Sequence, residues 1–64
     1  MGKFERLENL RKEKKYTLQN MADFIGVTKP YYWQIENKKR RLYYANAKKI
    51  AQVFKLKPDD IFYD

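Results

Sequence analysis

Residues 16–37 read YTLQNMADFIGVTKPYYWQIEN and contain two similar helix starts that lie eleven positions apart. Thr17 and Thr28 each follow an apolar or aromatic residue, and another one stands four positions after each threonine, which is the pattern of an N-cap threonine with a hydrophobic staple. Gly26 lies between the two starts and can adopt the positive φ that ends one helix and lets the chain enter the next. Two short helices joined this closely cross at a steep angle, so the stretch predicts a helix-turn-helix.

Helical spacing of apolar residues continues on both sides of this stretch. A last helix is expected to begin at Pro58, where a missing N–H costs nothing and where Asp59 and Asp60 complement the positive helix end. No segment alternates convincingly as a strand does, so the sequence predicts an all-α protein. The apolar residues that recur at intervals of three and four positions are Phe4, Leu7 and Leu10; Leu18, Met21, Ala22 and Ile25; and Ala47, Ile50, Ala51 and Phe54.

The length and the missing residue types exclude several classes of protein. A chain of 64 residues is long enough for one small domain, so a single domain over residues 1–64 is expected. The chain has no cysteine, histidine or serine, which removes disulfides, the usual transition-metal ligands and the usual nucleophiles. The sequence therefore predicts that the chain is not an enzyme and has neither a metal nor a cofactor, and no small-molecule ligand is evident.

A membrane protein is not expected either. The longest uncharged stretch runs only from Tyr16 to Ala22, far short of the roughly 18 apolar residues that span a bilayer. The first residues, MGKFE, resemble neither a signal peptide nor a transit peptide. We therefore expect a cytoplasmic protein with no membrane partner.

The distribution of charge is the first indication of function. Lysine and arginine number 15 against 8 aspartate and glutamate residues. The basic residues concentrate in residues 11–15 and 38–41, whereas the last seven residues contain Asp59, Asp60 and Asp64 and no basic residue. Such an excess often serves only to keep a small protein soluble, but this uneven distribution favours a polyanionic partner at one end of the molecule.

The segment from about Lys29 to Asn37 is expected to form a helix with two different faces. At about 100° per residue, Tyr32 and Ile35 point to the core. Tyr31 and Trp33 are too large and too exposed to be explained by packing within this helix alone. The residues predicted to point outward are Pro30, Trp33, Gln34 and Asn37, flanked by Lys29 and Tyr31.

A family resemblance covers nearly the whole chain. The segment TLQNMADFIGVTKPYYWQIENKKR, preceded by LENLRKEKKY and followed by NAKKIAQVFKLKPDDIF, resembles the lambda-repressor-like, Xre/Cro-type helix-turn-helix family. This resemblance implies a compact domain of five helices in which the helix from Lys29 is the recognition helix and enters the major groove of DNA. The residues that fit the family without a gap are Leu10, Arg11, Thr17, Ala22, Gly26, Val27, Ile35, Glu36, Asn37, Ile50, Ala51, Ile61 and Phe62.

The resemblance also assigns roles by position. The side chains suit these roles, because lysine can donate to guanine, glutamine can pair with adenine and an aromatic edge can contact a thymine methyl. A basic run beside the duplex needs only phosphates as partners. Contacts to bases fall on Lys29, Pro30 and Gln34, with Tyr31 and Trp33 at neighbouring positions. Contacts to phosphates fall on Thr17, Thr28, Asn37, Lys38, Lys39, Arg40 and Arg41.

Three departures from the family pattern affect these expectations. Pro30 lacks a reading side chain, so one base position is expected to be read only by shape or not at all. Leu18 replaces the glutamine that usually opens the second helix, which removes a typical phosphate contact. Lys15, Lys38 and Lys55 stand where glycines commonly follow helices, so each is expected to adopt a left-handed conformation at a cost of about 1 kcal/mol. A lysine at the end of a helix gains a favourable interaction with the helix dipole.

Arg11 and Glu36 are expected to form a structural pair. In the family, an arginine at this place in the first helix meets the glutamate of the recognition helix. The competing interpretation is two unrelated surface charges. If the pair is partly buried, loss of either partner is expected to cost several kcal/mol.

The function that follows is sequence-specific, double-stranded DNA binding by a transcriptional regulator of the kind that acts as a repressor in bacterial phages, plasmids and mobile elements. One recognition helix covers only a few base pairs, so a weak homodimer on a palindromic operator is expected. Its surface is expected at the acidic end, with Ile61, Phe62 and Tyr63. The alternative is that Ile61 and Phe62 close the core of the monomer and Tyr63 lies free.

Two other functions stay open at this point. A single-stranded nucleic-acid binder would use aromatic side chains as stacking platforms, and a protein-interaction module would present them to a protein partner. A salt-sensitive preference for duplex separates the first from the DNA regulator, and binding that ignores ionic strength indicates the second. The aromatic residues concerned are Tyr31, Trp33, Tyr43 and Tyr44.

Overall fold

All regular structure between residues 2 and 63, the part of the chain that the computed structural model describes, is helical. This confirms the predicted all-α fold with five helices in the described residues. No helix in residues 2–63 has the length and apolar character needed to cross a membrane. The helices are α1 (Glu5–Glu13), α2 (Leu18–Ile25), α3 (Lys29–Glu36), α4 (Tyr44–Val53) and α5 (Pro58–Ile61).

The two threonine caps form as predicted and fix the starts of α2 and α3. Thr17 Oγ1 accepts a hydrogen bond from the Asn20 backbone N–H at 3.0 Å, and Asn20 Oδ1 accepts from the Thr17 N–H at 2.9 Å, which completes a capping box. Thr28 Oγ1 accepts from the Tyr31 N–H at 3.3 Å. Gly26 has a φ of 77° and ends α2. The helix-turn-helix is therefore specified by hydrogen bonds that each span only a few residues.

The core is built from the apolar faces of all the helices. Tyr32 and Ile35 face inward from α3 as predicted. Phe4, Leu10, Leu18 and Phe54 are only partly buried and pack around the edge of the core. The buried apolar residues are Leu7, Met21, Ala22, Ile25, Tyr32, Ile35, Ala47, Ile50, Ala51 and Ile61.

Phe4, just before α1, and Arg6, in the first turn of α1, connect the end of α3 to the region of α5. The Phe4 backbone N–H donates to the Glu36 carbonyl at 2.9 Å. The Phe4 ring meets Phe62 edge to face at 4.9 Å between centroids, and Arg6 Nε donates to the Asp60 carbonyl at 2.7 Å. These contacts place α5 and the residue after it beside the end of α3, so Ile61 and Phe62 close the core.

Arg11 and Glu36 form the predicted pair, and Tyr32 joins it. Arg11 Nε donates to Glu36 Oε2 at 2.9 Å and Arg11 Nη2 donates to Oε1 at 3.0 Å. The Tyr32 hydroxyl donates to Oε2 at 2.8 Å, and Arg11 Nη1 donates to the Tyr16 carbonyl at 3.1 Å. Glu36 is only 2% exposed. The carboxylate is therefore buried but fully hydrogen-bonded, and it connects α1 to α3.

Two pKa shifts follow from this arrangement. The hydrogen bond to Glu36 raises the pKa of Arg11 above its ordinary value, so the guanidinium stays charged. Burial raises the pKa of Tyr32 far above its ordinary value, and the adjacent Glu36 carboxylate acts in the same direction. Tyr32 therefore stays neutral and keeps donating to the carboxylate.

The three lysines in glycine positions adopt the left-handed conformation that was predicted for them. The φ angles are 61° for Lys15, 57° for Lys38 and 57° for Lys55. These residues follow α1, α3 and α4 respectively, where a glycine would carry no steric cost. The fold thus accepts local strain at three helix ends.

We expect Lys15→Gly to raise the free energy of unfolding by up to about 1 kcal/mol, because it relieves the left-handed strain. The matched control is Lys14→Gly, since Lys14 is the neighbouring cation and has a φ of −85°. The control should lower stability, because glycine adds freedom to the unfolded chain. Urea unfolding followed by circular dichroism measures both, and equal effects of the two substitutions would exclude strain at Lys15.

We expect Arg11→Met to lower the free energy of unfolding by about 3–5 kcal/mol, because it leaves the buried Glu36 carboxylate uncompensated. That is a large share of the roughly 3–10 kcal/mol typical of a chain of this length. Adding Glu36→Gln should restore part of the loss, because the amide is neutral and its oxygen still accepts from Tyr32. Thermal unfolding of the two single variants and the double variant measures the coupling energy between Arg11 and Glu36. If the losses of stability in the single variants simply add in the double variant, the two charges are independent.

Candidate nucleic-acid interface

The outer face of α3 is formed by side chains that the core does not use. Lys29 and Pro30 are exposed in the first turn, where the missing N–H of proline has no intrahelical partner to lose. Trp33 is 43% exposed one turn later. Tyr32, about 100° around the helix from Trp33, is fully buried. The structure thus separates the consecutive aromatic residues of α3 by face.

Tyr31 and Gln34 lie at the border of this face and contact Arg40. Arg40 Nε donates to Gln34 Oε1 at 2.8 Å, and the guanidinium carbon lies 4.6 Å from the centre of the Tyr31 ring. Asn46 Nδ2, in α4, donates to the Tyr31 hydroxyl at 3.4 Å. Sequence reasoning predicted neither the Arg40 nor the Asn46 contact. Tyr31 is half-buried, so packing against other elements accounts for part of its surface.

The chain turns sharply at the end of α3. The structure ends α3 at Glu36, one residue before the predicted end, and Asn37 Nδ2 donates back to the Trp33 carbonyl at 3.0 Å. The Lys38 N–H donates to the Ile35 carbonyl at 3.1 Å and the Lys39 N–H to the Gln34 carbonyl at 2.8 Å. The left-handed Lys38 makes this turn possible, and it directs residues 38–41 past the end of the helix.

Residues 38–41, which we call the basic loop, line a shallow open depression of about 240 Å³ together with Phe4 and Leu42. Lys38 Nζ lies 4.8 Å from the centre of the Phe4 ring. The guanidinium carbon of Arg41 lies 5.6 Å from the centre of the Tyr43 ring. Lys39 is exposed. Cations gathered around an open depression create a positive potential that attracts an anion.

The hydroxyls of Thr17 and Thr28 remain available as donors. Each hydroxyl oxygen accepts a backbone N–H in its cap, which leaves the hydroxyl proton free to donate to an anion. Both threonines are exposed. Leu18 stands in place of the family's glutamine and is partly buried against the core. Because its side chain is aliphatic, it offers no polar group at the start of α2.

The residues expected at a dimer surface differ in their accessibility. Ile61 is buried in the core, so it is not available to a partner in this conformation. Phe62 is partly buried against Phe4. Tyr63 is 46% exposed. Of the three, Tyr63 presents the largest free surface.

Comparison with known proteins agrees with this geometry. A family model described as a helix-turn-helix domain matches residues 4–63. A Bacillus subtilis (strain 168) protein named as the uncharacterized HTH-type transcriptional regulator YqaE is 38% identical over 55 residues, which cover 86% of this chain and 47% of that protein. The chain therefore spans about half the length of this relative. No solved structure matches the chain. The match over all five described helices and the likeness to this relative show that the chain belongs to the Xre-like helix-turn-helix family.

Proposed function

We propose that this chain is a sequence-specific, double-stranded DNA-binding transcriptional regulator in which α3 enters the major groove. The observation that carries the proposal is the exposed outer face of α3, with Lys29, Pro30 and Trp33, next to the basic loop at the end of the same helix. Family membership and a relative named as a transcriptional regulator support it.

The outer face of α3 offers base-reading groups of different kinds. Lys29 donates to guanine O6 or N7, and Trp33 lays a ring edge against a thymine methyl. A free glutamine amide at Gln34 would pair with adenine, but here its oxygen already accepts from Arg40. Pro30 has no polar side-chain atom and responds only to the shape of the groove.

Phosphate contacts fall at the edges of this face. Lys38, Lys39 and Arg41 supply charge from the basic loop, and the hydroxyls of Thr17 and Thr28 supply donors from the helix starts. Asn37 contributes through the sharp turn that it begins, since its side chain is engaged with the Trp33 carbonyl. These contacts would fix the depth and angle of α3 in the groove.

Residues 1–64 act in this proposal as one DNA-binding domain that pairs weakly with a second copy on a palindromic operator. Two recognition helices about one helical turn of DNA apart read enough base pairs for useful selectivity. Tyr63, at the acidic end, is the exposed residue that supports a contact between copies. The resemblance to lambda-repressor-like proteins supports a repressor that acts in the cytoplasm of a bacterium.

Selection from random duplex DNA tests the proposed function. We expect the selected duplexes to share an inverted repeat with half-sites about 10 base pairs apart, and to bind more tightly than random duplex or single strands of the same sequence. Tighter binding to the single strands would favour the stacking function, for which the exposed Tyr43 and Tyr44 provide surface. A single half-site that binds as tightly as the full repeat would exclude the dimer.

We expect Lys39→Ala to weaken binding to all duplexes by similar factors and to reduce the slope of log affinity against log salt by about 0.9, because one phosphate contact is lost. The control is Lys49→Ala, which removes the same charge from an exposed position in α4. Titration of one random duplex at several salt concentrations measures both slopes. If both substitutions reduce the slope equally, net charge rather than the basic loop determines binding.

A further inference from the structure

Arg40 differs from its neighbours in the basic loop because its side chain returns to α3. It is six positions beyond Gln34 and outside the helix, yet Nε donates to Gln34 Oε1 at 2.8 Å. Its guanidinium also covers the Tyr31 ring, with the carbon 4.6 Å from the ring centre. The Tyr31 hydroxyl in turn accepts from Asn46 of α4 at 3.4 Å. One hydrogen bond and one cation–π contact together restrict the position of the guanidinium.

We propose that Arg40 is a base-reading residue, and that Arg40 and Gln34 act as one unit that recognises guanine in the major groove. This inference rests on the proposed function and changes the role that sequence position assigned to Arg40. It depends on which polar atoms the two side chains leave free.

The hydrogen bond between the two side chains leaves mainly donors to face DNA. Arg40 uses Nε internally, so both terminal nitrogens keep their N–H groups, and paired N–H groups match guanine O6 and N7. Gln34 uses its oxygen as the acceptor, which leaves its NH₂ group to donate. Adenine offers a donor at N6 and needs an acceptor from the protein. A unit rich in donors therefore favours guanine.

The contact with the Tyr31 ring makes Arg40 a more effective reader than a mobile side chain. An arginine loses much rotamer freedom when it binds, and a guanidinium already held over an aromatic ring has less to lose. Tyr31 serves in this arrangement as a positioning residue, and Asn46 restrains its ring. The same geometry directs the guanidinium toward Gln34 on α3, whereas Lys38 lies over Phe4 and Arg41 over Tyr43.

The test compares wild type with Arg40→Lys and Arg40→Ala, with Lys39→Ala as the matched control. Each full-length variant is titrated with the duplex selected by wild type, with duplexes changed at single base pairs, and with random duplex at several salt concentrations. Arg40 is exposed, so urea unfolding should show that the variants stay folded.

Arg40→Lys keeps the charge but cannot make the planar, paired contact. It should retain the salt slope on random duplex, lose about tenfold or more in affinity for the selected duplex, and lose discrimination at one G·C pair. Arg40→Ala should move the preference at that pair from G·C toward A·T, because the Gln34 oxygen becomes free to accept from adenine. Lys39→Ala should weaken binding to all of these duplexes by similar factors.

Two outcomes would overturn the inference, and they are distinguishable. If Arg40→Lys binds every duplex as wild type does, Arg40 is a phosphate contact, and the proposed function stands without the guanine-reading unit. If wild type itself shows no preference among duplexes, the proposed function fails and this inference fails with it.

Discussion

The buried carboxylate of Glu36 is the constraint on which the rest of the structure depends. It accepts from Arg11 of α1 through two nitrogens and from Tyr32 one turn earlier in α3. The backbone carbonyl of the same residue accepts from Phe4. A buried ion pair often adds little net stability, because desolvation offsets the attraction. Its contribution here is to orientation, since a bidentate contact permits few angles between α1 and α3.

Fixing the inner side of α3 determines what its outer side can do. With Tyr32 and Glu36 held inside, the helical rotation leaves Trp33 exposed and Tyr31 at the border. A small rotation of α3 about its axis would break the contacts to Arg11 before it moved Trp33 far. The rigid placement that a base-reading helix needs is therefore supplied from the core rather than by the exposed side chains themselves.

The features that could be predicted from sequence depend on short-range chemistry or on family resemblance. The caps at Thr17 and Thr28 follow from hydrogen bonds over a few residues, and the core faces follow from the helical period. The resemblance to a known family predicted two further features, which are the left-handed conformation at Lys38 and the pairing of Arg11 with Glu36. Neither short-range chemistry nor family resemblance requires knowledge of the path that a loop takes.

The contacts of Arg40 could not be predicted in the same way. A helical residue has a direction set by its position in the period, whereas a residue beyond the helix end has none. The direction of Arg40 depends on the turn at Lys38 and on the position of Tyr31, which α4 restrains through Asn46. These determinants lie in different elements, so no local pattern carries them. The site's polar network is thus a product of tertiary structure, although each of its members was visible in the sequence.

At Lys38 the cost of a left-handed backbone is offset by a favourable contact of the charged side chain. A glycine would adopt a φ of 57° without the cost of about 1 kcal/mol that a side chain incurs. The lysine places its ammonium 4.8 Å from the centre of the Phe4 ring, a contact worth about 0.5–1 kcal/mol at an exposed site. That contact offsets much of the strain. It also links the basic loop to Phe4, whose backbone N–H donates to the Glu36 carbonyl. A cation in this position therefore costs little stability, which allows charge to be concentrated where α3 ends.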